Sequence, residues 1–386
     1  MYALKLMACL AGSLFASTLF ADSWQRHTID QSLQGADGVR LADFNGDGRM
    51  DIVTGWEESG VVKLYLHPGN DKVATVWPSV VVGRGKSPED AVAFDFDGDG
   101  LLEVVSCHEG KKKQVLVHRN AGSGGDSQLL GESNWKTDRI ASLDGQSWMY
   151  ATPIRLRDDT RAIVFGSKNA GASLTLLTPP TTDNRKLRDW LPIKLRHAGW
   201  IMSIETLDMD ADGDEDIVFS DRKGKQRGVF WLEQPSNPSS DPWPEHSIGA
   251  IDKEVMFISV RRDRILASTR NGVWVDFVLS ATSHWKATEH SNPPNVPFGK
   301  DVCRLDDDAI LMTANTNADQ VKLPRPGIWI KHADRDWQPI GTTASTKYDR
   351  MELVDIDGDG DLDVLTCEER RNLGVVWYEN PGDAKQ

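Results

Sequence analysis

The chain has 386 residues, a formal net charge of −14, and 14 Trp against 5 Tyr. This length suits one large all-β domain or two ordinary ones. The negative charge argues against nucleic acid or an anionic membrane as the partner, because both require a basic protein face. It suits bound cations, because acidic groups clustered in loops repel one another unless a positive charge offsets them.

Residues 1–21 have the pattern of an export signal. Lys5 supplies a positive charge, and the apolar run from Leu6 to Phe20 follows it. This run is too short and too poorly flanked by charge for a membrane span, although a membrane-anchored chain is the alternative. Small residues near Ala21 offer a cleavage point. The sequence therefore predicts a secreted or periplasmic protein whose mature domain comprises residues 22–386, with no membrane span.

Three cysteines remain after the predicted signal, namely Cys107, Cys303 and Cys367. Because their number is odd, at least one is free or paired with another molecule. Their spacing fits no zinc site. We expect them to be small buried apolar residues.

A tryptophan introduces a short apolar stretch seven times, at intervals of about 50 residues. The seven residues are Trp24, Trp77, Trp135, Trp190, Trp243, Trp285 and Trp337. An alternating apolar strand recurs in step with them, as in VVKLYLHPG, and two further short strands lie between. Four strands in each of seven repeats predict an all-β, seven-bladed β-propeller of four-stranded blades.

The two ends of the chain complement each other. The last repeat ends after its third strand, near Tyr378, and an orphan fourth strand begins near Trp24. We expect the N-terminal strand to complete the last blade and close the ring, which removes an exposed sheet edge. A sandwich or an open solenoid is the alternative, but a solenoid requires capping ends.

Four repeats carry one acidic loop between their first and second strands: DFNGDGRMD, DFDGDGLLE, DMDADGDED and DIDGDGDLD. Oxygen-bearing side chains occupy loop positions one, three, five and nine, and a glycine at position six permits a sharp reversal. Position seven offers a backbone carbonyl. Calcium takes six to eight oxygen ligands, so this spacing predicts four structural Ca²⁺ sites. The predicted metal-site residues are Asp43, Asn45, Asp47, Arg49 and Asp51; Asp95, Asp97, Asp99, Leu101 and Glu103; Asp208, Asp210, Asp212, Asp214 and Asp216; and Asp355, Asp357, Asp359, Asp361 and Asp363.

These loops differ from an EF-hand, which needs a bidentate Glu at position twelve and flanking helices. Position twelve is here Thr54, Ser106, Phe219 and Thr366. Each loop also runs directly into a strand rich in β-branched residues, as in DIVTG. The sites are therefore of strand–loop–strand type. A solvated acidic turn would explain one such loop, but not four in register with the blade repeat.

The four loops resemble the FG-GAP or VCBS repeat, known from integrin α-subunit propellers and from exported bacterial proteins. The resemblance implies a calcium-loop propeller. Blades three, five and six depart from the pattern, because LRDDTRAIV, VRRDRILAS and LDDDAILMT lack the oxygen ladder. We predict no metal there. The Gly-Ala-Pro turn of the family is not intact, so integrin-type ligand binding is not expected.

The topology predicts a ligand funnel on the face opposite the acidic loops. Residues just before each first strand and just after each second strand should line it near the central axis. The predicted funnel residues are Trp56, Glu57, His108, Glu109, Trp200, Asp221, Arg222, Lys223, Glu368 and Glu369. Trp56, Trp148 and Trp200 would stack on a sugar ring, unless they pack between blades.

Two functions follow from this funnel. The first is a monomeric, non-catalytic binding or scaffold module for a glycan or an extracellular protein. The alternative is a sugar-active lyase or dehydratase with its site in the funnel. Its candidate bases are His108, Tyr150, Lys168 and Tyr348, and the arginines that would neutralise a uronate are Arg222, Arg270 and Arg370.

Overall fold

The computed structural model describes residues 24–122, 125–180, 186–317 and 323–382. The predicted export signal lies outside these ranges. The described chain forms 28 strands in seven four-stranded antiparallel sheets. The prediction of a seven-bladed propeller is confirmed. Helices are short, and none in the described part is long and apolar enough to cross a membrane.

Each blade takes its strands in chain order from the axis to the rim, apart from the last blade, which borrows β1. The first strands are β2 (Ala36–Ala42), β6 (Pro88–Phe94), β10 (Ser147–Arg155), β14 (Ile201–Leu207), β18 (Val255–Arg261), β22 (Gly299–Arg304) and β26 (Tyr348–Val354). The second strands are β3 (Asp51–Trp56), β7 (Glu103–His108), β11 (Arg161–Lys168), β15 (Asp216–Asp221), β19 (Arg264–Thr269), β23 (Ala309–Ala314) and β27 (Asp363–Glu368).

The outer strands and the helices complete the blades. The third strands are β4 (Val61–Tyr65), β8 (Gln114–Asn120), β12 (Ser173–Thr178), β16 (Gly228–Leu232), β20 (Val273–Leu279), β24 (Ile328–His332) and β28 (Gly374–Glu379). The fourth strands are β5 (Ser79–Arg84), β9 (Trp135–Arg139), β13 (Leu191–His197), β17 (Glu245–Gly249), β21 (Trp285–Ser291), β25 (Gln338–Pro339) and β1 (Gln25–Asp30). The α-helix is α1 (Asp126–Leu129), and 3₁₀ turns occur at Asn70–Lys72, Glu132–Asn134, Ala141–Leu143 and Leu187–Asp189.

Burial falls from the second strand to the rim. Strand β3 is buried along its whole length, whereas β9 is exposed after its first residue. The first strands contact one another in sequence around the ring, and the apolar clusters lie between neighbouring blades. Because both faces of an inner strand meet other blades, its sequence is almost continuously apolar rather than strictly alternating.

The recurrent tryptophans hold the rim together. The indole N–H groups of Trp77, Trp135 and Trp243 donate to backbone carbonyls in the loop before the fourth strand, at 2.9, 2.8 and 3.0 Å. All three rings are buried. At these three positions the tryptophan repeat therefore has a structural cause, since each indole fastens a long loop to the adjoining outer strand.

Strand β1 closes the ring by pairing with β28, with Gln25 opposite Glu379. At the end of β1, the buried carboxylate of Asp30 accepts from Lys63 Nζ at 2.5 Å and from Tyr65 Oη at 2.9 Å. Lys63 and Tyr65 belong to β4 of the first blade. The closing strand is thus bound to the blades on both sides of the seam.

The described cysteines form no disulfide. Cys107 and Cys367 are buried, Cys303 is partly buried, and all three are free thiols. Burial raises the pKa of each thiol.

Breaking the charge pair at the seam should be costly. Lys63→Met leaves the Asp30 carboxylate buried without its cation, so we expect the free energy of unfolding to fall by about 3 kcal/mol. Arg84→Met is the matched control, because it removes the exposed Arg84–Glu132 pair and should cost less than about 1 kcal/mol. Urea unfolding followed by tryptophan fluorescence measures both. Equal losses in the two variants would contradict this assignment.

Candidate functional site

The four acidic loops join first and second strands and therefore lie on one face of the disc. In blade 1, Asp43 Oδ1 accepts from the backbone of Gly46 at 2.7 Å, and Oδ2 accepts from Gly48 at 2.9 Å. Both glycines have positive φ, 74° and 83°. In blade 7, Asp355 receives the corresponding two bonds from Gly358 and Gly360. The carboxylate at loop position one therefore accepts from backbone N–H groups of its own loop, and the loop curls around that carboxylate.

The position-nine carboxylates have a second role that the sequence did not predict. Asp51 accepts from the backbone of Phe44 at 2.9 Å and of His67 at 2.8 Å, which fastens the loop to the end of the third strand. Asp363 makes the equivalent bonds in blade 7. Burial, and then the charges of Asp47 and Asp43, raise the pKa of Asp51 to about 6. For the same reasons the pKa of Asp363 rises to about 7.

The donor set fits a hard divalent cation. Carboxylate oxygens of Asp355, Asp357 and Asp359 lie within 4.8 Å of one another. The corresponding sets in blades 2 and 4 are Asp95, Asp97 and Asp99, and Asp208, Asp210 and Asp216. Asp361 Oδ1 is buried and has no hydrogen-bond partner among the described residues. Burial, and then the neighbouring carboxylates, raise the pKa of Asp361 to about 6. Converging oxygens with this excess of negative charge are the ligands that calcium takes.

Arginines from blades 3 and 5 reach the loops of blades 2 and 4. Arg157 pairs with Asp212 and Asp214, and Arg161 pairs with Asp95. Arg262 Nη2 lies 3.0 Å from Asp208 Oδ2, and its Nε donates to the Asp208 carbonyl at 2.9 Å. Two of the three blades without an oxygen ladder, blades 3 and 5, therefore place guanidinium groups on the loops of their neighbours.

On the opposite face, His108 is buried inside blade 2, which corrects its prediction as a base. Its Nδ1 lies 3.0 Å from the carbonyl oxygen of Lys86, which only accepts, so Nδ1 carries the proton. Ser106 Oγ lies 2.8 Å from Nε2 of both His108 and His118 and must donate to the first and accept from the second. Thr137 then donates to His118 Nδ1. All these groups are satisfied internally.

Burial also rules out the roles predicted for other residues of the funnel, both candidate bases and candidate stacking residues. Tyr150 is buried, and Tyr348 is buried against Tyr378, so neither can reach a substrate as a base. Trp56 donates to Tyr65 Oη at 2.9 Å, and Trp148 donates to the carbonyl of Leu143. Both indoles are buried and cannot stack on a sugar.

Two predicted acidic residues fold loops instead of facing the funnel. Glu368 is buried and accepts from backbone N–H groups, including those of Lys347 and Arg371, each at 2.8 Å. Asp221 is also buried and accepts from Arg196 and from the backbone of Trp200. Their carboxylates are committed to the protein.

Trp200 is partly exposed, but cations surround its ring. Arg222 Cζ lies 4.5 Å from a ring centre, and Lys168 Nζ and Lys223 Nζ lie 4.7 and 4.8 Å away. Lys168 is itself largely buried and pairs with Glu109. The ring is therefore a support for cations rather than an open sugar platform.

Of the predicted funnel residues, Glu369 lines a polar pocket of about 480 Å³, and Glu57 lies at its edge. Its lining residues are Gln34, Gly35, Glu58, Asn317, Lys347, Glu369, Arg370 and Asn372. Carboxylate oxygens of Glu57, Glu58 and Glu369 lie within 4.8 Å of one another at this edge. The sequence identified Glu369 and Arg370 but missed Gln34 and Lys347, which lie in the connections that lead into first strands. The only feature of the sequence that pointed to Gln34 and Lys347 was their position shortly before a first strand.

A four-stranded blade repeated seven times with strand–loop–strand acidic turns defines a β-propeller. Residues 43–106, from the first acidic loop into the second blade, match the family model of the FG-GAP-like repeat. The chain is a seven-bladed β-propeller that carries an FG-GAP-like repeat at residues 43–106. No curated protein matches it in sequence.

Solved structures share this fold. A catalytically inactive virginiamycin B lyase from Staphylococcus aureus with quinupristin has a TM-score of 0.57 and 12% identity, over 92% of this chain and 98% of that one. YCF48 from Cyanidioschyzon merolae has a TM-score of 0.56 and 11% identity, over 94% of this chain and 99% of that one. BBS1N in complex with ARL6DN has a TM-score of 0.52 and 10% identity, over 93% of this chain and 98% of that one. At these identities the likeness is one of fold alone.

The buried histidines give a pH-dependent prediction. Desolvation lowers the pKa of His118 to about 3, so its contribution to stability is present above pH 6.5 and is lost as the pH falls toward the folded value. Relative to His118→Gln, the wild type should lose about 2 kcal/mol of unfolding free energy between pH 7 and about pH 4.5. Urea unfolding across this range measures the difference. The exposed control is His284→Gln, whose unfolding free energy should follow that of the wild type across this pH range. The argument would be contradicted if the difference between the wild type and His118→Gln did not change with pH, or if the difference between the wild type and His284→Gln changed as much.

Proposed function

We propose that this propeller is an exported, calcium-stabilised, non-catalytic module that binds a glycan on the face opposite its acidic loops. The polar pocket carries the proposal. Its volume of about 480 Å³ falls within the range of small-ligand sites. Such a pocket holds one or two sugar rings rather than an extended protein surface.

The chemistry of the pocket suits hydroxyl groups. Glu58 and Glu369 offer acceptors, Lys347 offers donors, and the amide of Gln34 offers both. A sugar hydroxyl both donates and accepts, so it can satisfy either kind of group. Almost no apolar side chain lines the pocket, which argues against a lipid or aromatic ligand.

Calcium has a structural role in this proposal. The acidic loops lie on the other face, fold around their first carboxylate and join inner strands, so a bound ion would stabilise the native state without meeting the glycan. Because the unfolded chain lacks this geometry, the binding free energy adds to the free energy of unfolding. A secreted or periplasmic location would give such sites access to extracytoplasmic calcium.

The lyase or dehydratase alternative retains Lys168, Arg222, Arg270 and Arg370 after His108, Tyr150 and Tyr348 are set aside as buried. Lys168 is engaged by Glu109 and lies 3.9 Å from Glu89. The shared fold of virginiamycin B lyase does not carry its chemistry to this chain. Binding is therefore the better-supported function.

Removal of calcium should destabilise the protein. We expect chelation to lower the melting temperature by about 10 °C and added Ca²⁺ to restore it. Asp359→Asn should remove about a quarter of the calcium-dependent increase, because it damages one of four independent sites. Asp307→Asn, in the blade 6 stretch without a ladder, is the control. Calorimetry measures all three proteins, and an unchanged melt in chelator would refute the role of calcium.

The calcium effect should depend on pH. The raised pKa values of Asp51, Asp361 and Asp363 mean that the metal-free protein loses stability as the pH rises through about 6 to 7. Calcium needs the deprotonated carboxylates, so the gap between the calcium-loaded and metal-free melting temperatures should widen from about pH 5 to about pH 8. A gap that narrows over this interval would contradict the assignment.

A glycan array, run with a polysaccharide-cleavage assay at saturating calcium, tests the funnel. We expect glycan binding without cleavage, and Glu58→Gln or Lys347→Gln should weaken it at least about tenfold, because each removes a charge from the pocket. Glu132→Gln, on the exposed rim, should bind as the wild type does. Cleavage products would favour the lyase. Binding of a protein with no glycan binding would overturn the choice of ligand.

A further inference from the structure

The rim of the polar pocket carries more negative than positive charge. Carboxylate oxygens of Glu57, Glu58 and Glu369 lie within 4.8 Å of one another. Glu369 Oε1 pairs with the ammonium group of Lys347, and Arg370 also lines the pocket. In the described part of the chain, no cation forms an ion pair with Glu57 or Glu58. Three carboxylates therefore face two cations at this rim.

Backbone contacts hold these carboxylates close together. The backbone N–H of Glu57 donates to the carbonyl of Gly35 at 2.6 Å, and that of Glu369 donates to the carbonyl of Lys347 at 3.3 Å. The Glu58 carboxylate lies directly over Gly35, where a Cβ would fall 1.3 Å from Glu58 Oε2. Gly35 also has a φ of 73°, which favours glycine. The loop geometry thus places the carboxylates before any ligand binds.

The carboxylate of Glu57 is crowded by like charges. Burial, and then the charges of Glu58 and Glu109, raise the pKa of Glu57, although Lys347 and Lys168 act in the opposite direction. Ionised Glu57 therefore has a free-energy cost that the nearby cations do not offset. A further cation at the rim would lower this cost, so the pocket favours a ligand that brings a positive charge.

An ammonium group fits three such acceptors. It has three N–H donors, and acceptors that each lie about 2.8 Å from its nitrogen are about 4.6 Å apart. The spread of up to 4.8 Å at the rim accommodates this arrangement. A calcium ion takes six to eight oxygens at about 2.4 Å, and Lys347 already engages one oxygen of Glu369. The geometry therefore favours an amine over a metal ion.

We propose that Glu57, Glu58 and Glu369 bind the ammonium group of an unacetylated amino sugar whose ring lies in the polar pocket. This inference rests on the proposed glycan-binding function and specifies the class of glycan. The pocket volume of about 480 Å³ leaves room for the ring beside the ammonium group. The net charge of −14 attracts a cationic glycan toward the protein.

Matched β-1,4-linked trisaccharides test the proposal by calorimetric titration at saturating calcium. The first is built from glucosamine, the second from N-acetylglucosamine and the third from glucose. They share their ring and linkage, and only the first carries ammonium groups. We expect the wild type to bind the glucosamine trimer at least about tenfold more tightly than either neutral trimer. Equal affinity, or tighter binding of a neutral trimer, would overturn the amine site.

Variants locate the preference on the three carboxylates. Glu57→Gln and Glu58→Gln should each reduce the ratio of glucosamine-trimer affinity to glucose-trimer affinity at least about threefold, because each removes a charge that attracts the ammonium group. Asp252→Asn removes the same charge from an exposed position in another connection on the funnel face and should keep the wild-type ratio. An equal reduction in Asp252→Asn would overturn the location of the site.

The stability of Glu57→Gln distinguishes a binding carboxylate from a structural one. Because the pKa of Glu57 is raised in the folded protein, its charge reduces stability at neutral pH. The melting temperature of Glu57→Gln without glycan should therefore equal or exceed that of the wild type. A clear fall would mean that Glu57 supports the fold and would overturn its place in the site.

Glucosamine monosaccharide, titrated by NMR, separates this inference from the proposed function. It should shift the side-chain carboxyl carbon signals of Glu57, Glu58 and Glu369, and glucose at the same concentration should not. Absence of shifts overturns the amine site, and equal shifts with putrescine, a simple diamine, overturn the choice of a sugar. Shifts with glucosamine but no binding on the glycan array would uphold the amine site and refute the pocket as an oligosaccharide site. Array binding of neutral glycans without these shifts would do the reverse.

Discussion

A four-stranded blade with two apolar faces must be covered on both sides, and most other features of this protein follow from that constraint. Seven blades cover one another only if the ring closes, so β1 is joined to β28 and bound to the first blade through Asp30. Closure also brings the first strands together at the axis, where charges pair between blades. Arg40 binds Asp90 at 2.9 Å, and Lys300 binds Asp349 at 2.7 Å.

Features encoded within one repeat were predictable from the sequence. The blade count, the strand order and the position of the acidic loops depend on short-range spacing, which the tryptophans and the DxDxDG pattern display directly. The second role of Asp51 was not predictable, because its partner His67 lies at the end of another strand. The arginine contacts were missed for a related reason. Arg157 acts on a loop of the next blade, and nothing in its own repeat indicates that partner.

The funnel prediction succeeded and failed on adjacent residues. His108 and Glu368 are the last residues of second strands and are buried, whereas Glu109 and Glu369 follow them and are partly exposed. Trp56 and Asp221 repeat the pattern before Glu57 and Arg222. The final strand residue still packs against the neighbouring blade, and the chain leaves the sheet one residue later. A sequence pattern with uncertainty of one residue at strand ends cannot separate these positions.

The arginines on the acidic face introduce an asymmetry among the four loops. The arginines of blades 3 and 5 are part of the protein and do not dissociate as a bound ion does. Their charges therefore stay beside Asp95, Asp208 and Asp212 at any ion concentration. Part of the counter-charge of this face is therefore permanent, and only the remainder would come from the calcium ions that we propose. Blades 2 to 5 form a continuous arc tied by fixed charges, and the seam between blades 7 and 1 lies outside it. If the loops bind calcium as we propose, a fall in the calcium concentration would weaken the two halves of the ring unequally.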